Sequence, residues 1–195
     1  MDDVTEITQL VLKERQGRDR GWWDQMREAF ADDATVRLSW YRGSGAGFVE
    51  QSRKMAGCGD TSAHRLSPPV VHLRGDRAFV EVPAVIEMRT TVDEIEVDLE
   101  SAARLYFRVE RRGGRWLIVA LDPVYERDTL AAAHPGVTLP IGPAEVAQYR
   151  PPYRFLSHVL TRRGYAAGGD LYGDDRPEEA ARFYAEAFRW LDGAA

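Results

Sequence analysis

The chain holds a single cysteine, Cys58, in 195 residues, so it can form neither an internal disulfide nor a cysteine-based zinc site. Its histidines, at 64, 72, 134 and 158, show no HxxxH or HxH spacing, and no metal site is expected. Long apolar runs are lacking too. The longest aliphatic core run, WLIVAL at 116–121, is far below the roughly 20 residues a spanning helix needs, and the start, MDDVTEI, is acidic where a secretory leader is basic. No membrane partner is expected; a soluble protein of a reducing compartment, the cytoplasm, is. Excess positive charge is missing as well: the net charge is −5, which argues against a nucleic-acid partner. There is no internal repeat. GSGAG at 43–47 fits neither GxGxxG nor GxxxxGK[ST], so it reads as a turn, and DLYGDDRPEE at 170–179 lacks the alternating aspartates of a calcium loop, so it reads as a helix start.

What remains is a globular composition, 44% hydrophobic and 29% charged, enough for a sizeable core. Val4, Ile7 and Val11 recur at helical spacing and Glu14 and Arg18 continue the stripe, so a first helix leads from core into something polar. Gly21 ends it, and Trp22, Trp23, Met26 and Phe30 give a short second helix. Alternation of Val36, Leu38 and Trp40 with polar residues marks a strand, followed by a short helix around 47–56. Two long strands follow, Val80–Met88 with Pro83 at an edge or bulge, and Ile95–Val109, long enough that it must bend. RRGGR turns the chain into RWLIVALDPVY, apolar on both faces. Residues 126–148 read as a connector, and helices are expected at 151–163 and 175–191. The fold class is therefore α+β: a cone-shaped, curved antiparallel sheet wrapped around N-terminal helices, over 1–135, with a helical C-terminal extension over 136–195. Leu117, Val119 and Leu121 share a face the inner core cannot use. A homodimer partner is expected to cover it, the rival cover being the chain's own helices at 151–163 and 175–191.

The element order, with ERQGRDRGWWDQMREAFADDATVRLSW, then SAHRLSP, then LYFRVERRGGRWLIVALDPVYERD, resembles the SnoaL-like, scytalone-dehydratase-like branch of the nuclear transport factor 2-like superfamily. In dehydratase-type members an aspartate near the end of the first helix pairs with a histidine opening the sheet region. The resemblance places that pair at Asp19 and His64. Their chemistry is coherent: a carboxylate on one ring nitrogen fixes the tautomer and leaves the other as a base. His64 taken alone also suits a hydrogen-bonded residue at a strand start.

The resemblance implies a cofactor-independent lyase or isomerase, of dehydratase or cyclase type, acting on a hydrophobic small molecule, with no cofactor. The pattern often has a tyrosine about five residues before the aspartate, where this chain has Glu14, which leaves the oxyanion partner open. Tyr41, Tyr106 and Tyr125 are candidates for the missing hydroxyl, with Tyr41 ranked as catalytic. Glu14, Trp23, Trp40 and Arg104 are candidates for substrate binding together with Tyr106 and Tyr125, and Phe79 and Met88 are further candidates for a pocket wall. Two alternatives stay open: epoxide opening, for which Arg104 or Arg108 with Asp122 are the only parts, and a non-catalytic binding or assembly module.

Overall fold

A computed structural model describes residues 2–59 and 62–193. Helix α1, Asp3–Arg20, is capped by Asp2, whose Oδ1 accepts the Thr5 N–H at 3.0 Å, and ends at Gly21, whose φ of 69° is left-handed. That turn sends the chain straight back as α2, Trp23–Glu28, so close that a Cβ on Gly17 would stand 3.0 Å from the Met26 nitrogen.

The strands are β1 (Phe30–Arg37), β2 (Arg42–Ser44), β3 (Ala63–Leu66), β4 (Val70–Arg74), β5 (Arg77–Val92), β6 (Ile95–Arg112), β7 (Arg115–Ala132) and β8 (Tyr172–Gly173). They form one sheet in the order β2-β1-β7-β6-β5-β3, with β4 also on β5 and β8 also on β7. It is antiparallel except where β1 and β8 join β7. The α+β class holds. The first strand ends at Arg37 rather than running to Trp40, because residues 38–41 leave the sheet to turn into β2, and Ser44 then caps α3, Gly45–Gly57. The β7 strand also continues to Ala132, past the start of the expected connector, which is shorter and holds the single-turn helix α4, Pro143–Val146. Pro83 is neither at an end of β5 nor in a bulge. Its carbonyl accepts from Ser67 at the gap between the residues paired with β4 and those paired with β3, so its missing N–H faces that gap and breaks no ladder bond.

Curvature comes from β7. Arg108 pairs with Ala120 and Val109 with Ile118, leaving Val119 as an extra residue; Ala102 pairs with Arg127 and Ala103 with Tyr125, leaving Glu126. These two bulges bend the long hairpin around α1. The concave face packs Val80, Val82, Leu105, Phe107, Ile118 and Leu121 against Ile7, Val11, Met26 and Phe48. Leu121 is therefore core and not outer face as expected, since the bulge at Val119 resets the alternation, and Leu117 and Val119 are half-buried beside the same core.

The C-terminal segment covers the sheet in two places. Helix α5, Arg154–Arg162, lays Leu156, Val159 and Leu160 over the open end of the concavity against Met88, Leu99 and Tyr125. Helix α6, Pro177–Leu191, puts Ala180, Phe183, Ala187 and Leu191 on the convex face, against Phe79, Tyr106 and Val124. Phe183 is wedged between Tyr106 at 5.3 Å and Tyr172 at 4.5 Å. Phe183→Ala is expected to lower stability by about 3 kcal/mol, read as a drop in the urea midpoint, while the cavity-facing residues on the opposite face keep their environment.

Candidate active site

The last turn of α1 supplies the polar side chains that the helical stripe carries into the core. Glu14, Arg15 and Arg18 are 0%, 3% and 5% exposed. Glu14 accepts two hydrogen bonds from Arg15, from Nε and from a terminal nitrogen, each at 2.5 Å, so this buried pair neutralises itself. Arg18 is different: among the described residues its guanidinium's one hydrogen bond goes to the Met55 sulfur at 3.3 Å, and it lies 5.9 Å from the Trp40 ring centre.

Asp19, on the adjacent face of that turn, reaches β3. Its Oδ1 accepts from the His64 Nδ1 at 2.6 Å and its Oδ2 accepts the His64 backbone N–H at 2.8 Å. One carboxylate thus holds both ring and backbone of the histidine. His64 stands opposite Ile86 of β5, so its ring projects into the concavity, with Nε2 3.4 Å from an Arg15 terminal nitrogen. Burial, joined by the charges of Arg15 and Arg18, lowers the His64 pKa against the pull of Asp19. Burial alone would raise Asp19, but the His64 hydrogen bonds and charge and the nearby Arg15 hold it below its ordinary value. The resting pair is an aspartate and a neutral imidazole. Nδ1–H donates to Asp19 and Nε2 keeps a lone pair.

Arg15, Arg18, Trp40, Phe48, Met55, His64, Ile86, Met88, Leu105, Tyr125, Leu156 and Leu160 enclose a cavity of about 40 Å³, room for about three waters at roughly 10–15 Å³ each. Asp19 is not part of this lining. It sits on the outer side of the wall, where a surface groove touches both Asp19 and His64. Tyr125 has a buried hydroxyl that accepts the Ser39 N–H at 3.2 Å, and among the described residues its own proton meets no acceptor. Burial pushes that hydroxyl up to about 12, which keeps it a donor.

Of the other sequence-level candidates, Trp40 and Tyr125 line the cavity, and Glu14 sits behind it as the partner of Arg15. Tyr41 does not reach it: its hydroxyl donates to the Ser44 carbonyl at 2.9 Å and braces the turn before α3. Trp23 packs at the outer edge of the main core. Arg104 and Tyr106 stand on the convex face, where both bind Glu81, Arg104 also binds Glu126, and Tyr106 meets Tyr184 of α6. Asp122 is opposite Tyr106 and Arg108 lies near Trp190 of α6, so the parts named for epoxide opening belong to that outer face as well. Among the described residues no cluster of three or more His, Cys, Asp or Glu is placed to hold a metal ion. Sequence reading missed Arg15 and underrated Arg18. The signal was there, in charged residues at the Ile7–Val11 spacing, where a core stripe continues.

A curved sheet closed around a helix, with a histidine–aspartate pair in its wall, defines an α+β cone with an interior site. The SnoaL-like domain matches residues 1–122, and the chain belongs to that family. It is similar to a PEP2-like protein of Fusarium vanettenii, 27% identical over 186 residues, covering 90% of this chain and 80% of that protein. Among solved structures it superposes on a candidate scytalone dehydratase from Novosphingobium aromaticivorans with a TM-score of 0.54 and 17% identity, covering 73% of this chain and 95% of that one. A hexachlorocyclohexane dehydrochlorinase (LinA) Type2 gives 0.55 and 17%, over 70% and 94%. At that identity the shared property is the fold.

Above the cavity, Asp128 caps the lid helix, its Oδ2 accepting the Leu156 N–H at 2.8 Å. Burial raises its pKa from 3.8 to about 6, against the backbone hydrogen bonds. The native state therefore binds this proton more tightly than the unfolded chain, so stability falls as pH rises between those values. Asp128→Asn keeps an acceptor for Leu156 and removes that decline. Its urea midpoint, measured against that of the unmodified protein, is expected to gain steadily as pH rises through this window.

Proposed function

We propose that this protein is a cofactor-independent lyase or isomerase in which His64 transfers a proton and Asp19 orients it. The observation that carries the reading is the two-point hold of Asp19 on His64, with Nε2 left unprotonated on the wall of an enclosed, largely apolar cavity. Nε2 takes a proton from carbon next to a carbonyl, and the electron pair moves to the carbonyl oxygen. The Arg15 N–H beside Nε2 and the free proton of Tyr125 are donors for that enolate oxygen. The enolate then collapses. In a dehydration it expels a β-hydroxide, which takes the proton from the imidazolium and leaves as water; in an isomerisation the proton returns to a different carbon. The cation formed on His64 is balanced by Asp19.

The dehydrochlorinase and candidate dehydratase among the similar folds support this class of chemistry for the same cone. The small size of the cavity implies that Leu156 and Leu160 of α5 shift outward to admit a substrate and then remain above it.

Deuterium exchange into enolisable ketones, 2-tetralone and phenylpyruvate among them, followed by NMR, tests the reading without requiring the natural substrate. His64→Ala is expected to lose about 10²- to 10⁴-fold in rate while keeping the fold, and Asp19→Asn to lose less. Because His64 is lowered from 6.5, the rate is expected to rise with pH to a plateau, with its midpoint below that value. Exchange unaffected by His64→Ala, or absent on every ketone, would sink the reading.

A further inference from the structure

Among the described residues, the one charged group on the cavity wall that the mechanism above leaves unused is Arg18. It is 5% exposed, yet among the described residues no carboxylate lies within ion-pair distance of it. Each neighbouring acid is committed: Glu14 to both nitrogens of Arg15, and Asp19 to His64 on the far side of the wall. A guanidinium carries five N–H donors, and among the described residues the only side-chain hydrogen-bond acceptor of Arg18 is the Met55 thioether sulfur, a weak one. A buried cation without an anion is costly unless something else completes it. Arg18 is held in place from both sides, by Met55 at 3.3 Å and by the Trp40 ring at 5.9 Å, and it opens on the same cavity as His64.

We propose that Arg18 is the specificity-determining residue of this site and that the substrate carries a delocalised oxyanion, a carboxylate or an ionised enol or phenol, which pairs with it. This deepens the reading above and rests on it for treating the ligand as a substrate. The rest of the lining fits such a molecule. A planar guanidinium matches a carboxylate or a vinylogous enolate with two parallel N–H···O bonds. Trp40, Phe48 and Tyr125 offer faces for a flat unsaturated skeleton, and Leu156 and Leu160 exclude water above it. A neutral ligand of the same shape would leave Arg18 buried with no water and no counter-ion, which selects against it.

Binding of benzoate against benzamide, two probes of nearly equal shape, tests this by calorimetry at matched ionic strength. The unmodified protein is expected to prefer benzoate by about tenfold or more. Arg18→Met, close in volume and suited to its Met55 neighbour, is expected to abolish the preference without weakening benzamide. Arg18→Lys keeps the charge and is expected to retain part of it, which provides a readout even if Arg18→Met folds poorly. His64→Ala is expected to keep the preference, so anion binding and proton transfer are scored separately. Equal binding of the two probes, no binding of either, or a preference that survives Arg18→Met would overturn the inference while leaving His64-dependent exchange untouched. Loss of exchange with intact benzoate selectivity would do the reverse.

Discussion

The contact that everything else depends on is the bidentate hold of Asp19 on His64. Its two oxygens take the ring N–H and the backbone N–H of one residue, at 2.6 and 2.8 Å. It joins the end of α1 to the strand at the edge of β5, closes that side of the cone, and fixes the tautomer of the imidazole. Hydrogen bonds to a charged group contribute about 1.5–3 kcal/mol each, and here both restrain the same side chain. It also explains why Arg18 has no ion-pair partner among the described residues. The carboxylate nearest to it in sequence faces the outside of the wall and is committed there.

The two C-terminal helices play unlike parts, although the sequence makes them look similar. Helix α5 closes the mouth of the concavity and contributes cavity wall, while α6 covers the convex face and brings no residue to the site. This double cover is why neighbours such as Phe79 and Val80, or Tyr106 and Phe107, are all buried although they point to opposite sides of the sheet. A sheet with one wet face would show one of each pair exposed.

The cone was legible from the first helical stripe, the long alternating strands and the RRGGR turn, and the His64–Asp19 pair from the motif resemblance. The other site residues were harder for identifiable reasons. Arg15 and Arg18 are charged, so a hydropathy stripe appears to end where they begin, although their spacing continues it. Tyr41 and Tyr106 offer the right hydroxyl but from places that only tertiary structure reveals, one bracing a turn and the other under α6. Hydropathy alternation gave the wrong face for Leu121 because a bulge adds a residue without altering composition.

Those bulges have a further consequence. They divide β7 into three short runs whose inward faces are set independently: Trp116 and Ile118 before Val119, then Leu121 and Tyr125, then Asp128 beyond Glu126. Tyr125 enters the cavity, and Asp128 reaches the lid, because of where single extra residues fall. A one-residue deletion between the two bulges, at Pro123 for example, would turn Tyr125 outward and Val124 inward without changing any side chain's identity, whereas deleting Val119 itself would remove the bend and leave both faces as they are. The strand therefore behaves as a phase-adjustable element, in which small insertions and deletions, more readily than substitutions, can reassign which chemistry faces the pocket while the α1 wall stays constant.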